Sequence, residues 1–192
     1  MKIARLMLSI LLLQLFVVVP ESAKAANLTY KRTLEQYQVP DLVLVNQEGK
    51  RLRFGEMFLG DKPVIIDFIF GTCTTICPVL SAGYANLQRK LPAQQEKVHL
   101  VSISIDPEND TPKVLKEYLR RYRAKPGWDF FTGSRSDINV LMRALDAYIP
   151  NKMSHYPLTL IWTPKDRNWI RINGLMSSSE FLDECRKAGI KL

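Results

Sequence analysis

Two short runs constrain this chain most: KPVIIDFIF at residues 62–70 and KVHLVSISI at 97–105. Each is almost continuously apolar and rich in branched or aromatic residues, the pattern of a strand buried on both faces. A strand without a wet face needs cover on each side, and the stretch between the runs offers it. Leu80, Tyr84, Leu87 and Leu91 recur there at helical spacing. Pro78 precedes them, and its missing N–H costs nothing in the first turn of a helix. Buried strands joined through a helix predict parallel pairing in an α/β sheet.

The remaining segments extend this pattern. DLVLVNQEGKRLRF (41–54) alternates about Glu48-Gly49 and reads as a hairpin. DTPKVLKEYLRRY (110–122) reads as a helix opened by Asp110 or Thr111 and then Pro112. WDFFTG (128–133) is a short strand, and SDINVLMRALDAY (136–148) a helix capped by Ser136 or Asp137. PLTLIWT (157–163) and NWIRING (168–174) flank a turn and form an antiparallel hairpin, closed by the capped helix SSSEFLDECRKAG (177–189). Residues 26–38 are polar and are expected to wrap or fray. The order predicts an α/β, thioredoxin-like fold. Its central sheet is mostly parallel and flanked by helices, with an additional N-terminal β-hairpin. No repeat or Pro/Gly-rich linker interrupts residues 26–192, so they read as one domain with a sizeable core.

The first residues read differently. Lys2 and Arg5 precede an apolar run (6–19) broken only by Ser9 and Gln14, and Pro20 and Ala23-Lys24-Ala25 follow. This is the layout of a secretory signal peptide over residues 1–25, and the run falls short of the ~20 apolar residues of a spanning helix. The domain at 26–192 is then expected in the periplasm or on the outer face of the membrane. The formal net charge is +8, and loss of Lys2, Arg5, Lys24 and Glu21 leaves +6. In an exported protein this excess does not point to nucleic acid. The basic stretch at 116–125 is broken by Leu119 and Tyr122 and reads as a solvated helix face. The charge still favours weak attraction to acidic partners or an anionic membrane surface.

The chain has 3 cysteines, and Cys73 and Cys77 lie together in GTCTTICP (71–78). Disulfides persist outside the cytoplasm, so the pair reads as a disulfide, a redox couple or a metal site. In an open α/β sheet the functional crevice lies beyond the carboxyl ends of the strands, where this segment falls. Residues four apart on a helical turn share a face. A helix N-terminus favours thiolate, the form that attacks disulfides and binds metal.

His155, in NKMSHYPLT, precedes a strand whose leading loop faces the cysteine loop in thioredoxin-like folds; Pro157 is a candidate there for a cis bond. Two sulfurs and an imidazole suit Cu(I), and the imidazole tolerates Cu(II). A structural zinc site asks for a fourth ligand. His99, between Val98 and Leu100, is expected to be packed or at a sheet edge, and Cys185 to be a core cysteine.

Three stretches together, DFIFGTCTTICPVLSAGYANLQRKL, VSISIDPENDTPKVLKEY and MSHYPLTLIWTP, resemble the Sco/SenC family over roughly residues 39–174. The resemblance implies an exported thioredoxin-fold protein that binds copper and assists assembly of the copper centre of cytochrome c oxidase. It implies Cys73, Cys77 and His155 as metal ligands and a loop-fixing or ligand-supporting role for Asp106. The chain departs from many members at Thr74, where they have proline, and at Tyr156-Pro157, where they have Ser or Thr and no proline. These changes alter the walls of the site, keep the ligands, and add weight to related thiol–disulfide oxidoreductases.

The expected activity is that of a metallochaperone, monomeric. It would serve a cytochrome c oxidase subunit or another copper-receiving client, with a thiol reductant protein keeping the dithiol reduced. The alternative is an exported thiol–disulfide oxidoreductase with Cys73 and Cys77 as the redox pair. The same residues serve both, because a dithiol must be reduced before it binds copper. A peroxidase would further need an arginine beside the attacking thiolate, and none is identifiable from sequence.

Overall fold

The computed structural model describes residues 30–91 and 98–192. The leader expected at 1–25 lies outside the described residues. Among those described, the strands are β1 (Lys31–Glu35), β2 (Val43–Asn46), β3 (Arg51–Arg53), β4 (Val64–Ile69), β5 (His99–Ser104), β6 (Trp128–Thr132), β7 (Leu158–Thr163) and β8 (Asn168–Asn173). The helices are α1 (Cys77–Lys90), α2 (Pro112–Arg121), α3 (Arg135–Ala144) and α4 (Ser178–Lys187). The strands form one sheet in the order β1-β8-β7-β4-β5-β6-β2-β3.

The thioredoxin-like arrangement is as expected. All 6 residues of β4 are buried, and β4 pairs in parallel with β5, as β5 does with β6. The other pairings are antiparallel. Parallel pairing is therefore confined to the centre, and the whole sheet is mixed instead of mostly parallel as expected, because both hairpins and the N-terminal strand join it.

That N-terminal strand departs from expectation. Part of the polar segment at 26–38 is β1, which pairs with β8 from Lys31↔Asn173 to Glu35↔Trp169. Its polarity suits an edge, where charge discourages further pairing. Glu184 on α4, 1% exposed, holds it by accepting from Tyr30 Oη and Arg32 Nε, each at 2.9 Å.

Aromatic contacts define the two layers that cover the sheet. Tyr84 of α1 stacks on Phe181 of α4 with centroids 6.0 Å apart and meets Trp128 at 5.4 Å. Tyr118 of α2 meets Phe130 edge-on at 5.4 Å. Phe131, next along β6 and so on the opposite face, meets Phe54 of the 3₁₀ segment Phe54–Phe58 at 6.1 Å.

The caps refine the helix starts. Thr111 caps α2 by accepting the Val114 N–H, leaving Asp110 for another task. Ser134, rather than Ser136 or Asp137, caps α3, accepting the Asp137 N–H. Ser177 and Glu180 form a reciprocal capping box on α4. Cys185 is fully buried, as expected of a core cysteine. His99 is packed within the sheet, its Nε2 2.8 Å from Asp129 Oδ2.

Candidate metal centre

The site grows from the carboxyl end of β4. Past Phe70 the chain turns, and the Cys73 N–H donates to the Phe70 carbonyl at 3.1 Å. Cys73 precedes the helix instead of sharing a helical turn with Cys77; α1 begins at Cys77, with Pro78 in its first turn. The turn is fixed from a distance. Asp110, 1% exposed, accepts the Gly71 N–H and also the Ser104 hydroxyl at 2.5 Å.

His155 arrives by topology. Because β7 runs antiparallel to β4, with Thr159 opposite Asp67, the segment ahead of Leu158 lies at the end of the sheet where β4 finishes. A 3₁₀ turn, Lys152–Ser154, delivers His155 in extended backbone at φ −66 and ψ 142. The Asn151 side chain accepts the Met153 N–H at 2.9 Å, and the His155 N–H donates to the Lys152 carbonyl at 3.2 Å. There is no cis peptide bond among the described residues, so Pro157, the candidate for one, is trans. The capped turn places the histidine without it.

One ligand atom from each of Cys73, Cys77 and His155 lies within 4.8 Å of the others. Cys77 Sγ and His155 Nε2 are 3.9 Å apart, and the imidazole rests edge-on to Phe70 with centroids 5.8 Å apart. All three residues singled out from sequence are thus brought together. Two soft sulfurs and one imidazole form a donor set suited to copper.

The thiols are unequal. Burial pushes the Cys73 thiol up, but hydrogen bonds from Cys77 and Thr75 outweigh it, and the thiol lies below its ordinary range. Cys77 is 0% exposed; burial, and then its neighbour Cys73, push its thiol far above that range. The helix N-terminus was expected to favour thiolate at the pair, but at Cys77 the cost of removing a charge from water exceeds the dipole's effect. Burial also lowers the His155 pKa, partly offset by a hydrogen bond with the Phe68 backbone. The imidazole is therefore neutral at neutral pH, the state a metal ligand requires.

Asp106 does not reach the sulfurs. It is 4% exposed and accepts from Asn109 Nδ2 at 3.0 and 3.1 Å and from Lys152 Nζ at 2.5 Å. It thereby ties the loop after β5 to the turn that carries His155, the loop-fixing role expected of it.

Two groups were missed from sequence. Asp110 reads locally as a helix cap, and nothing nearby in sequence pairs it with Gly71. Asp67 left a visible signal, a lone acid in an apolar strand. It is fully buried, and neither carboxylate oxygen has a hydrogen-bond partner of good geometry among the described residues.

The sequence profile of the SCO1/SenC family matches residues 31–188. The chain belongs to the SCO1/SenC family. The match runs past 39–174 at both ends because β1 and α4 are integral to the same sheet and its cover. A SCO1 protein homolog of Bacillus subtilis is 42% identical over 108 residues, covering 53% of this chain and 53% of that protein. Protein SenC of Rhodobacter capsulatus is 30% identical over 100 residues, covering 52% of this chain and 44% of that protein. The chain spans about half the length of these curated relatives.

Solved structures share the fold, including the Sco proteins BsSco and Arabidopsis thaliana ScoI. BsSco, a member of the Sco family of cytochrome c oxidase assembly proteins with an identified disulfide switch, is 30% identical with a TM-score of 0.65. That alignment covers 80% of this chain and 94% of BsSco. Arabidopsis thaliana ScoI, solved with copper bound, is 26% identical with a TM-score of 0.65, covering 78% of this chain and 96% of that one.

Proposed function

We propose that this SCO1/SenC protein binds one copper ion through Cys73, Cys77 and His155 and passes it to the copper centre of a cytochrome c oxidase. The observation that carries the reading is the convergence of two thiols and one imidazole within 4.8 Å. Copper is cargo here, so the site must both hold it and release it. Cys77 forms the buried inner wall, while half-buried Cys73 and His155 lie at the rim, where a client's ligand can approach. Family membership and the copper bound to Arabidopsis thaliana ScoI support this assignment.

The reading takes residues 1–25 as a leader and places the domain at 26–192 outside the cytoplasm, as a monomer whose positive charge favours anionic surfaces. Among the described residues no helix is long and apolar enough to cross a membrane. In an oxidising compartment the pair needs a thiol reductant protein before loading.

A second reading, exported thiol–disulfide exchange, is favoured by the inequality of the two thiols. Cys73 thiolate would attack a client disulfide, forming a mixed disulfide and expelling one client thiolate. Cys77 would then give up its proton and displace the second client thiol, leaving Cys73–Cys77 oxidised.

Metal counting in the reduced domain separates the readings. Cys73→Ser and Cys77→Ser are each expected to abolish tight binding of Cu(I) and Cu(II). His155→Ala is expected to keep some Cu(I) and to lose or strongly shift the thiolate-to-Cu(II) absorption band. An unchanged Cu(II) spectrum and affinity in His155→Ala would overturn the three-ligand site and leave disulfide exchange as the better reading.

A further inference from the structure

The site as described leaves the residue after the histidine without a task. Tyr156 is 38% exposed, yet its hydroxyl is held. Arg171 Nη2 donates to Tyr156 Oη at 3.0 Å, and Tyr156 Oη in turn donates to the Asp146 carbonyl at 3.4 Å.

Arg171, on β8, is the centre of a brace. Its Nη1 donates to Tyr37 Oη at 3.0 Å and to the Leu145 carbonyl at 3.1 Å, and its Nη2 also donates to the Asp146 carbonyl at 3.0 Å. These carbonyls lie just past the end of α3, where helices leave acceptors unpaired. Asp146 sits there at φ 51, the left-handed position that commonly ends a helix. The guanidinium thus satisfies the end of α3 and fixes the tip of Tyr156 with one rigid planar fork.

The connection to the metal centre is through the backbone. His155 is extended, and consecutive side chains in extended backbone point to opposite sides. Their partners agree: His155 meets Cys77 and Phe70, whereas Tyr156 meets Arg171 and Asp146. Holding Tyr156 on the outer side therefore restricts the rotation that would swing His155 away from the thiols.

We infer that Tyr156, anchored by Arg171, is a positioning residue that holds His155 toward Cys73 and Cys77. The inference rests on the three-ligand reading above and adds to it a group that holds the backbone carrying the imidazole, beside the ring's own hydrogen bond with the Phe68 backbone.

Tyr156→Phe tests it, because the ring stays while the hydrogen bonds go. The expected result is Cu(II) binding weaker by roughly threefold to tenfold, the scale of one lost hydrogen bond. The thiolate-to-Cu(II) band should shift or broaden, while Cu(I) stoichiometry and the melting temperature stay close to wild type. In the metal-free protein, proton NMR should show weaker cross-relaxation between the His155 and Phe70 rings. Tyr37→Phe, which removes only the other hydroxyl on Arg171, should leave both readouts unchanged.

Wild-type Cu(II) behaviour and an unchanged His155–Phe70 contact in Tyr156→Phe would overturn the inference, as would an equal effect from Tyr37→Phe. If His155→Ala leaves Cu(II) binding unaltered, the three-ligand reading fails by itself. The ring contact in the metal-free protein then still decides whether Tyr156 positions His155.

Discussion

Asp110 accepts the Gly71 N–H with both carboxylate oxygens, each at 3.1 Å, across 39 positions of sequence. The cysteine turn after β4 is thus anchored by the loop after β5. A Cβ at Gly71 would lie 2.7 Å from Asp110 Oδ1 and 3.3 Å from Val114 Cγ1. The carboxylate cannot swing aside without losing Ser104 as well. Gly71→Ala is expected to destabilise the fold by about 1–3 kcal/mol, as overpacking does. Urea unfolding measures it, and a wild-type midpoint would show that the turn does not depend on this contact.

Asp67 imposes a pH dependence. Burial pushes its carboxyl up to about 7, with neighbouring Ser102 offsetting part of the rise. In the unfolded chain an aspartate ionises near its ordinary value of about 3.9. The Asp67 contribution is therefore complete below about pH 4 and is lost as pH rises through the folded value near 7. Asp67→Asn removes this loss, so its stability relative to wild type should rise by a few kcal/mol between about pH 4 and pH 8. Denaturant midpoints across that range test it, and parallel curves would place the carboxyl's ionisation elsewhere.

The three thiols should react in a fixed order. Cys73 is half-buried with a lowered pKa, whereas Cys77 and Cys185 are fully buried with raised ones, Cys185 up to about 12. Alkylation of the reduced, metal-free protein at neutral pH should label Cys73 alone, with the other two labelled only after unfolding. Peptide mapping that finds Cys185 labelled first would contradict this order.

Mild oxidation should join Cys73 to Cys77 and leave Cys185 free. So short a loop constrains little of the unfolded chain, and the gain in stability should fall below the ~3 kcal/mol that chain entropy assigns to a 15-residue loop. Mass spectrometry of the digested, oxidised protein checks the pairing. A bridge to Cys185 would refute it.

Copper affinity should rise with pH above neutrality. His155 is neutral there because burial lowers its pKa, so protons compete with metal chiefly at Cys77, whose thiol is raised. Competition titrations with a Cu(I) chelator between about pH 7 and pH 9 should show tighter binding at the upper end. His155→Ala should retain that slope. A flat profile in the wild type would mean that Cys77 is already ionised at neutral pH.

Much of this protein was legible in the order of its residues. The buried runs around Ile66 and Val101, the helical spacing from Leu80 to Leu91 and the Pro-bearing helix starts are local patterns. Each follows from the period of a strand or a helix, so they determine the central α/β unit and put Cys73 and Cys77 at its carboxyl rim. His155 could be matched to the cysteines because a strand led by a histidine loop reaches that rim whenever it runs antiparallel to β4.

What only the tertiary structure decided depends on groups far apart in sequence. Cys77 meets His155 across 78 positions, Asp110 meets Gly71 across 39, and Arg32 reaches Glu184 across 152. Those contacts turned a polar N-terminal segment into β1, gave Asp110 to the cysteine turn instead of a helix cap, and made the two thiols unequal. The physical reason is that the side-chain period of a helix or a strand is set by neighbours along the chain. Burial and desolvation, which govern the chemistry of Cys73 and Cys77, are set by neighbours in space.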